Sequence, residues 1–153
     1  MWQRIQTVFL VIAIVSLLAS IFLPIWVTET DGNRHTLYAL HYSSFENGNQ
    51  TAVYFPYCLT AVFAIASITV ALIEIGKYKN RMLQMKLGAL NSLFVVGTIG
   101  CAVYFASDLM KAFKGGDYRL GLWLPGVAVL ANLLANRFIR KDEKLVRDSD
   151  RLR

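Results

Sequence analysis

The segment 120–153 reads "LGLWLPGVAVLANLLANRFIRKDEKLVRDSDRLR" and passes, with no linker, from an apolar run into a dense run of charge. From Leu120 to Asn136 no side chain is charged. About 20 apolar residues rising 1.5 Å each span roughly 30 Å of hydrocarbon, so 120–139 reads as a membrane helix halted by the charges behind it. Segments of similar length and character lie at 5–23, 53–75 and 87–106. Together they raise the hydrophobic content to 56%, above the roughly 45–50% of ordinary soluble domains. The expected fold is an all-α membrane protein: a four-transmembrane-helix bundle over 1–139, followed by a charged cytoplasmic helical extension over 140–153. The first segment competes with a signal peptide, but its apolar run exceeds the roughly 7–15 residues of a signal core. No small-x-small cleavage site precedes Pro24, so a retained helix is predicted.

Lys and Arg beside helix ends stay on the cytoplasmic side. Twelve of the 16 fall on one side: Arg4, the 77–86 loop, and the seven from Arg137 onward. Arg34, Lys111, Lys114 and Arg119 fall on the other. Both termini are therefore expected in the cytoplasm. The net charge of +6 is then accounted for by attraction to an anionic leaflet, and no nucleic-acid motif accompanies it.

Between Pro24 and Ala52 the chain turns polar, with Asp31-Gly32 and Asn47-Gly48 as turn signals around β-branched and aromatic residues. A short β-hairpin turning near Asn47-Gly48 is expected in this outer loop. His35 and His41 lie there without a cluster of further ligands, which favours packing or solvated histidines over a metal site. Cys58 and Cys101 fit no CxxC motif. A bridge between neighbouring helices is open to them, beside the plainer reading of two buried thiols that pack as small hydrophobes. Pro56 and Pro125 are expected in the first turns of their helices, and Trp26, Tyr54, Tyr57, Tyr104, Tyr118 and Trp123 as an aromatic belt at the outer boundary.

In lipid, helices associate through small residues and interhelical hydrogen bonds. Each segment has a matching stripe: Gln6, Ala13, Ser16, Ser20; Thr60, Ala64, Ser67, Ala71, Glu74; Gly88, Asn91, Thr98, Ala102; Ala128, Asn132, Ala135, Ile139. Gln6, Glu74, Asn91, Asn132 and Asn136 fall in the inner half of the membrane. An ionisable residue within a span raises a functional question, which makes Glu74 the residue to weigh. One reading has it reach the headgroups or pair with Lys77, Lys79 or Arg137. The sharper one joins Glu74, Asn91 and Asn132 into a polar site for a proton, cation or lipid headgroup.

The tail, read as a helix, pairs Arg140 with Glu143, Glu143 with Arg147, Lys144 with Asp148 and Asp148 with Arg151, and leaves Leu145, Val146 and Leu152 as an apolar line. Four acids among seven bases make it a poor lipid anchor and a candidate partner-docking helix.

"QRIQTVFL", "KNRMLQMKL" and above all "LGLWLPGVAVLANLLANRFIRKDEKLVRDSDRLR" resemble the domain-of-unknown-function family 4293, small four-helix membrane proteins found chiefly in Bacteroidota. The resemblance implies the bundle and a bacterial inner-membrane location, and carries no catalytic residue. The chain departs from the family pattern at Asp148-Ser149 and at Glu74, where the family is apolar or uncharged.

No nucleophile with its base, metal constellation, cofactor motif or redox pair stands in the sequence, so an enzyme is not expected. The expected role is a non-enzymatic accessory, scaffold or assembly partner docking on its cytoplasmic face, with the bilayer and a further protein as partners. The alternative is a subunit of a small transporter or channel, using the polar site in the inner half.

Overall fold

A computed structural model describes residues 3–30, 32–46, 48–77 and 80–150, with side chains over 5–30, 32–46, 48–77 and 80–145. The chain runs α1 (Gln3–Phe22), β1 (Trp26–Thr30), β2 (Asn33–Leu37), β3 (Tyr42–Glu46), β4 (Asn49–Val53), α2 (Leu59–Gly76), α3 (Arg81–Phe113), β5 (Asp117–Tyr118) and α4 (Leu120–Asp150). All four helices are long and apolar enough to cross a membrane, so this is a multi-pass membrane protein. The helices form a ring in which α1 packs on α2 and α4, and α3 on α2 and α4.

The expected hairpin grows into a five-stranded antiparallel sheet, ordered β4-β3-β2-β1-β5. Gly32 and Gly48 stand in the turns between strands whose end pairs are Thr30↔Asn33 and Glu46↔Asn49. Gly32 and Gly48 have φ of 78° and 82°, which a glycine adopts without a Cβ penalty. The fifth strand comes from the far side of the sequence: β5 pairs Asp117 and Tyr118 with Val27 and Trp26. The sheet thus ties the α1–α2 link to the α3–α4 link.

Backbone bonds seat the sheet on the helix ends. Ala61 donates to the Ala39 carbonyl at 3.1 Å, Arg119 to Ile25 at 2.9 Å and Gly121 to Pro24 at 3.0 Å. A Cβ on Gly121 would stand 2.5 Å from the Leu23 carbonyl oxygen and 2.6 Å from that of Pro24, so the close approach requires glycine. Ile25, Trp26, Leu37, Ala61, Phe105 and Leu109 form one core here, while Ala13, Leu17, Ala64, Val95, Ala128 and Ala131 form another in mid-bundle.

Several expectations are corrected. The second helix begins at Leu59, not near 53, because 49–53 is committed to pairing with β3 and residues 55–58 form a turn around Pro56, which has no backbone N–H. The third helix extends well past 87–106 at both ends. The fourth continues unbroken through the tail to Asp150, and Pro125 sits in its second turn rather than its first. Trp26 is 0% exposed and belongs to the core under the sheet, whereas Trp123 is 66% exposed, as a belt residue should be. Both cysteines are free and half-buried.

Candidate functional site

The polar residues of α2 and α3 recur every seven residues: Thr60, Ser67 and Glu74 on one helix, Gln84, Asn91 and Thr98 on the other. All six are buried. Seven residues are close to two helical turns, so each set stays on one face. The helices run antiparallel, and this brings Ser67 beside Asn91 and Glu74 beside Gln84.

The middle level is a closed network. Ser67 Oγ donates to Asn91 Oδ1 at 2.5 Å, and Asn91 Nδ2 donates to Asn132 Oδ1 at 3.1 Å. Asn132 Nδ2 spends its two hydrogens on Ser92 Oγ at 2.8 Å and the Gly88 carbonyl at 3.1 Å. Ser92 Oγ also donates to Gly88, at 2.9 Å. Three helices are thereby cross-linked by hydroxyls and amides, groups that do not titrate near neutral pH. This level orders the bundle; it contains no acid or base. Gly88 permits it, because a Cβ there would collide with the Asn136 amide packed against the helix.

Glu74 stands apart from this network, about 10 Å along the axis from Ser67 at 1.5 Å per residue. Asn91 and Asn132 come together as expected, but Glu74 does not join them. It is 0% exposed, and neither carboxylate oxygen has a hydrogen-bond partner among the described residues. The expected pairing with Lys77 or Arg137 is not formed, and Lys79 lies outside the described residues. Its neighbour is Gln84, whose Nε2 donates to the Glu74 backbone carbonyl at 3.0 Å and whose Oε1 is also buried without a partner. Three buried acceptor oxygens on one seam therefore lack a donor. Sequence reasoning passed over Gln84 because it lies before 87; stepping back seven residues from Asn91 would have reached it.

At the basic end, Asn80 caps α3 by accepting from the Leu83 N–H at 3.1 Å. Arg81 grips Asp142 twice, Nη2 to Oδ2 at 3.2 Å and Nη1 to the backbone carbonyl at 2.9 Å. That contact pins the α4 extension to the start of α3. The expected Arg140–Glu143 pair is not formed among the described residues. Leu145 is 52% exposed just beyond the clamp. The Val146 side chain and Leu152, together with Arg147, Asp148 and Arg151 of the other expected pairs, lie outside the described side chains.

At the opposite end the histidines pack. His35 is buried, stacks on Phe113 at 4.1 Å and shares a 2.7 Å hydrogen bond with the Tyr42 hydroxyl. His41 stacks on Tyr38 at 5.1 Å. Among the described residues no three His, Cys, Asp or Glu side chains are grouped to hold a metal ion.

The family described as "Domain of unknown function (DUF4293)" matches residues 2–152. No curated protein is significantly similar to the chain.

Proposed function

The chain belongs to the DUF4293 family, and from that premise we propose that it is a non-enzymatic accessory, scaffold or assembly protein of the bacterial inner membrane, docking a protein partner on its cytoplasmic face. The observation that carries this is α4, which runs from the membrane span to Asp150 without a break and is held by the double contact between Arg81 and Asp142. An exposed helical end of this length would fray by itself. Held in place, it offers a partner a surface already ordered before binding, with Leu145 exposed on it. Both termini lie in the cytoplasm in this reading, because twelve of the sixteen basic residues flank the apolar segments on the side of the termini and the α2–α3 link.

The test is crosslinking with mass spectrometry in native membranes, comparing the full chain with one cut after Ile139 and with Leu145→Asp/Leu152→Asp. Partners present with the full chain should be lost from both variants at equal expression. A partner set unchanged by truncation reduces the tail to a topological stop and ends this reading.

A second reading, a subunit of a small transporter or channel, is favoured by the donor-less oxygens of Glu74 and Gln84. A proton on Glu74, or a small cation beside it, supplies what those oxygens lack. Glu74→Gln should then abolish proton- or cation-dependent flux in liposomes; flux absent from the native chain, or equal in both, removes this alternative.

A further inference from the structure

A groove of about 470 Å³ opens between α3 and α4 toward the basic end, lined by Ala89, Ser92, Leu133, Asn136, Arg137 and Arg140. From these residues we infer that the groove binds an anionic phospholipid, its phosphate between Arg137 and Arg140 and its acyl chain along Ala89 and Leu133. This rests on the membrane placement shared with the proposed function, and not on any protein partner.

Chemistry and position agree along the groove. Leu133 and Arg140 are seven residues apart on one helix face, about 10 Å, so the groove passes from apolar wall to paired cations over the depth where a lipid passes from chain to headgroup. Ala89 and Leu133 are exposed, and one turn away on the same helices Leu93 and Leu130 are exposed as well. Arg137 and Arg140 are both exposed and make no ion pair or hydrogen bond among the described residues. Among the described residues, Asp142 is held by Arg81 and Glu143 forms no ion pair with either arginine. Lys86 is exposed on α3 three residues before Ala89, so its charge adds to the basic character of this end of the helix pair. Guanidinium groups match phosphate oxygens with paired N–H donors, and basic grooves between membrane helices are recurrent sites for anionic headgroups.

The experiment titrates phosphatidylglycerol and phosphatidylcholine, with identical acyl chains, into the full chain in neutral detergent and counts retained lipid by native mass spectrometry. Phosphatidylglycerol should be held at least tenfold tighter. Arg137→Gln/Arg140→Gln should erase most of that preference, a loss of roughly thirtyfold in affinity for two basic groups at an anionic headgroup. Ala89→Trp, which fills the groove without changing charge, should weaken both lipids, while Lys77→Gln/Lys144→Gln, with the same charge change elsewhere, should retain the preference. The inference is overturned if the native chain holds both lipids equally, if the arginine variant keeps its preference, if Ala89→Trp retains full affinity, or if the lysine variant loses as much. Displacement of phosphatidylglycerol by millimolar inorganic phosphate also overturns it, since the site would then take free phosphate. Loss of partners on tail truncation, or their retention, leaves every one of these outcomes unaffected.

Discussion

The two ends of this molecule follow opposite rules of burial. Under the sheet, Trp26, Leu37, Ile25 and Leu109 are buried, while Glu29, Arg34, Glu46 and Gln50 face outward. In the bundle the buried side chains include Ser67, Glu74, Asn91 and Asn132, and the exposed ones include Val62, Leu72, Leu93 and Leu130. The face of the sheet toward the helices is arranged as water requires, its largest apolar side chains withdrawn from solvent, while Phe45 and Val53 on β3 and β4 stay half exposed. The bundle is arranged as lipid requires, because apolar side chains lose nothing by facing hydrocarbon whereas an unpaired amide there costs several kcal/mol. One chain thus reports two solvents, and the two patterns meet where Ile25, Ala61 and Phe105 join sheet and helices in one core.

Three measurements would break or sharpen that contrast, each by thermal or denaturant unfolding of the full chain in a neutral micelle. The largest effect belongs to Trp26→Ala, which empties a fully buried site beside Phe113 and should cost about 3–5 kcal/mol. Trp123→Ala, at an exposed position, should change stability by less than about 0.5 kcal/mol. Equal losses would show that Trp26 is not core. Next is Asn132→Ala, which removes three hydrogen bonds in the bundle and should cost about 2 kcal/mol, at roughly 0.6 kcal/mol per bond in a membrane plus the acceptors and donors left unpaired. A neutral result would mean that the bundle is held by small-residue packing alone.

The smallest of the three losses is at Tyr42, where Tyr42→Phe removes the bond to His35 and should cost about 1 kcal/mol, still more than the Trp123 control. Burial first, then the nearby Tyr57 and Glu46, push the Tyr42 phenol up from 10 to about 12. Because the folded value is raised, the contribution is fully present below pH 10 and is lost as pH climbs through about 12. The sheet end of the native chain should therefore lose stability between pH 10 and 12, and Tyr42→Phe should flatten that slope. An equally steep slope in the variant would place the titrating group elsewhere.

The helices were legible because a fixed bilayer thickness imposes a length: 5–23 ends within one residue of α1, and α4 begins at the expected Leu120, although it runs on past 139. The seams were legible for a similar reason: Thr60, Ser67 and Glu74, or Asn91 and Thr98, share a face by spacing alone. Which seam residues meet was not legible. Glu74 was grouped with Asn91 and Asn132, yet the antiparallel register sets Ser67 against Asn91 and leaves Glu74 two turns away with Gln84. Register depends on where α2 and α3 reverse, and the true start of α3 at Arg81 lies six residues before the expected 87. The hairpin at Asn47-Gly48 was visible from its turn residues, but β5 was not, because two residues, Asp117 and Tyr118, carry no periodic pattern.

By itself, then, the sequence determined that four apolar segments cross a membrane, that basic residues gather at one end, and that polar residues line one stripe of each helix. These are one-dimensional properties: length, charge count and spacing. Only the tertiary structure decided that the stripes close into a network at Ser67, Asn91 and Asn132 while Glu74 has no donor among the described residues, that Trp26 lies under a sheet rather than in a belt, and that Arg81 of α3 takes Asp142 while the expected Arg140–Glu143 pair does not form. Each of those outcomes joins residues at least ten positions apart or on different elements. Such pairings are selected by how whole elements pack, since no local preference of a residue specifies which distant group it will meet.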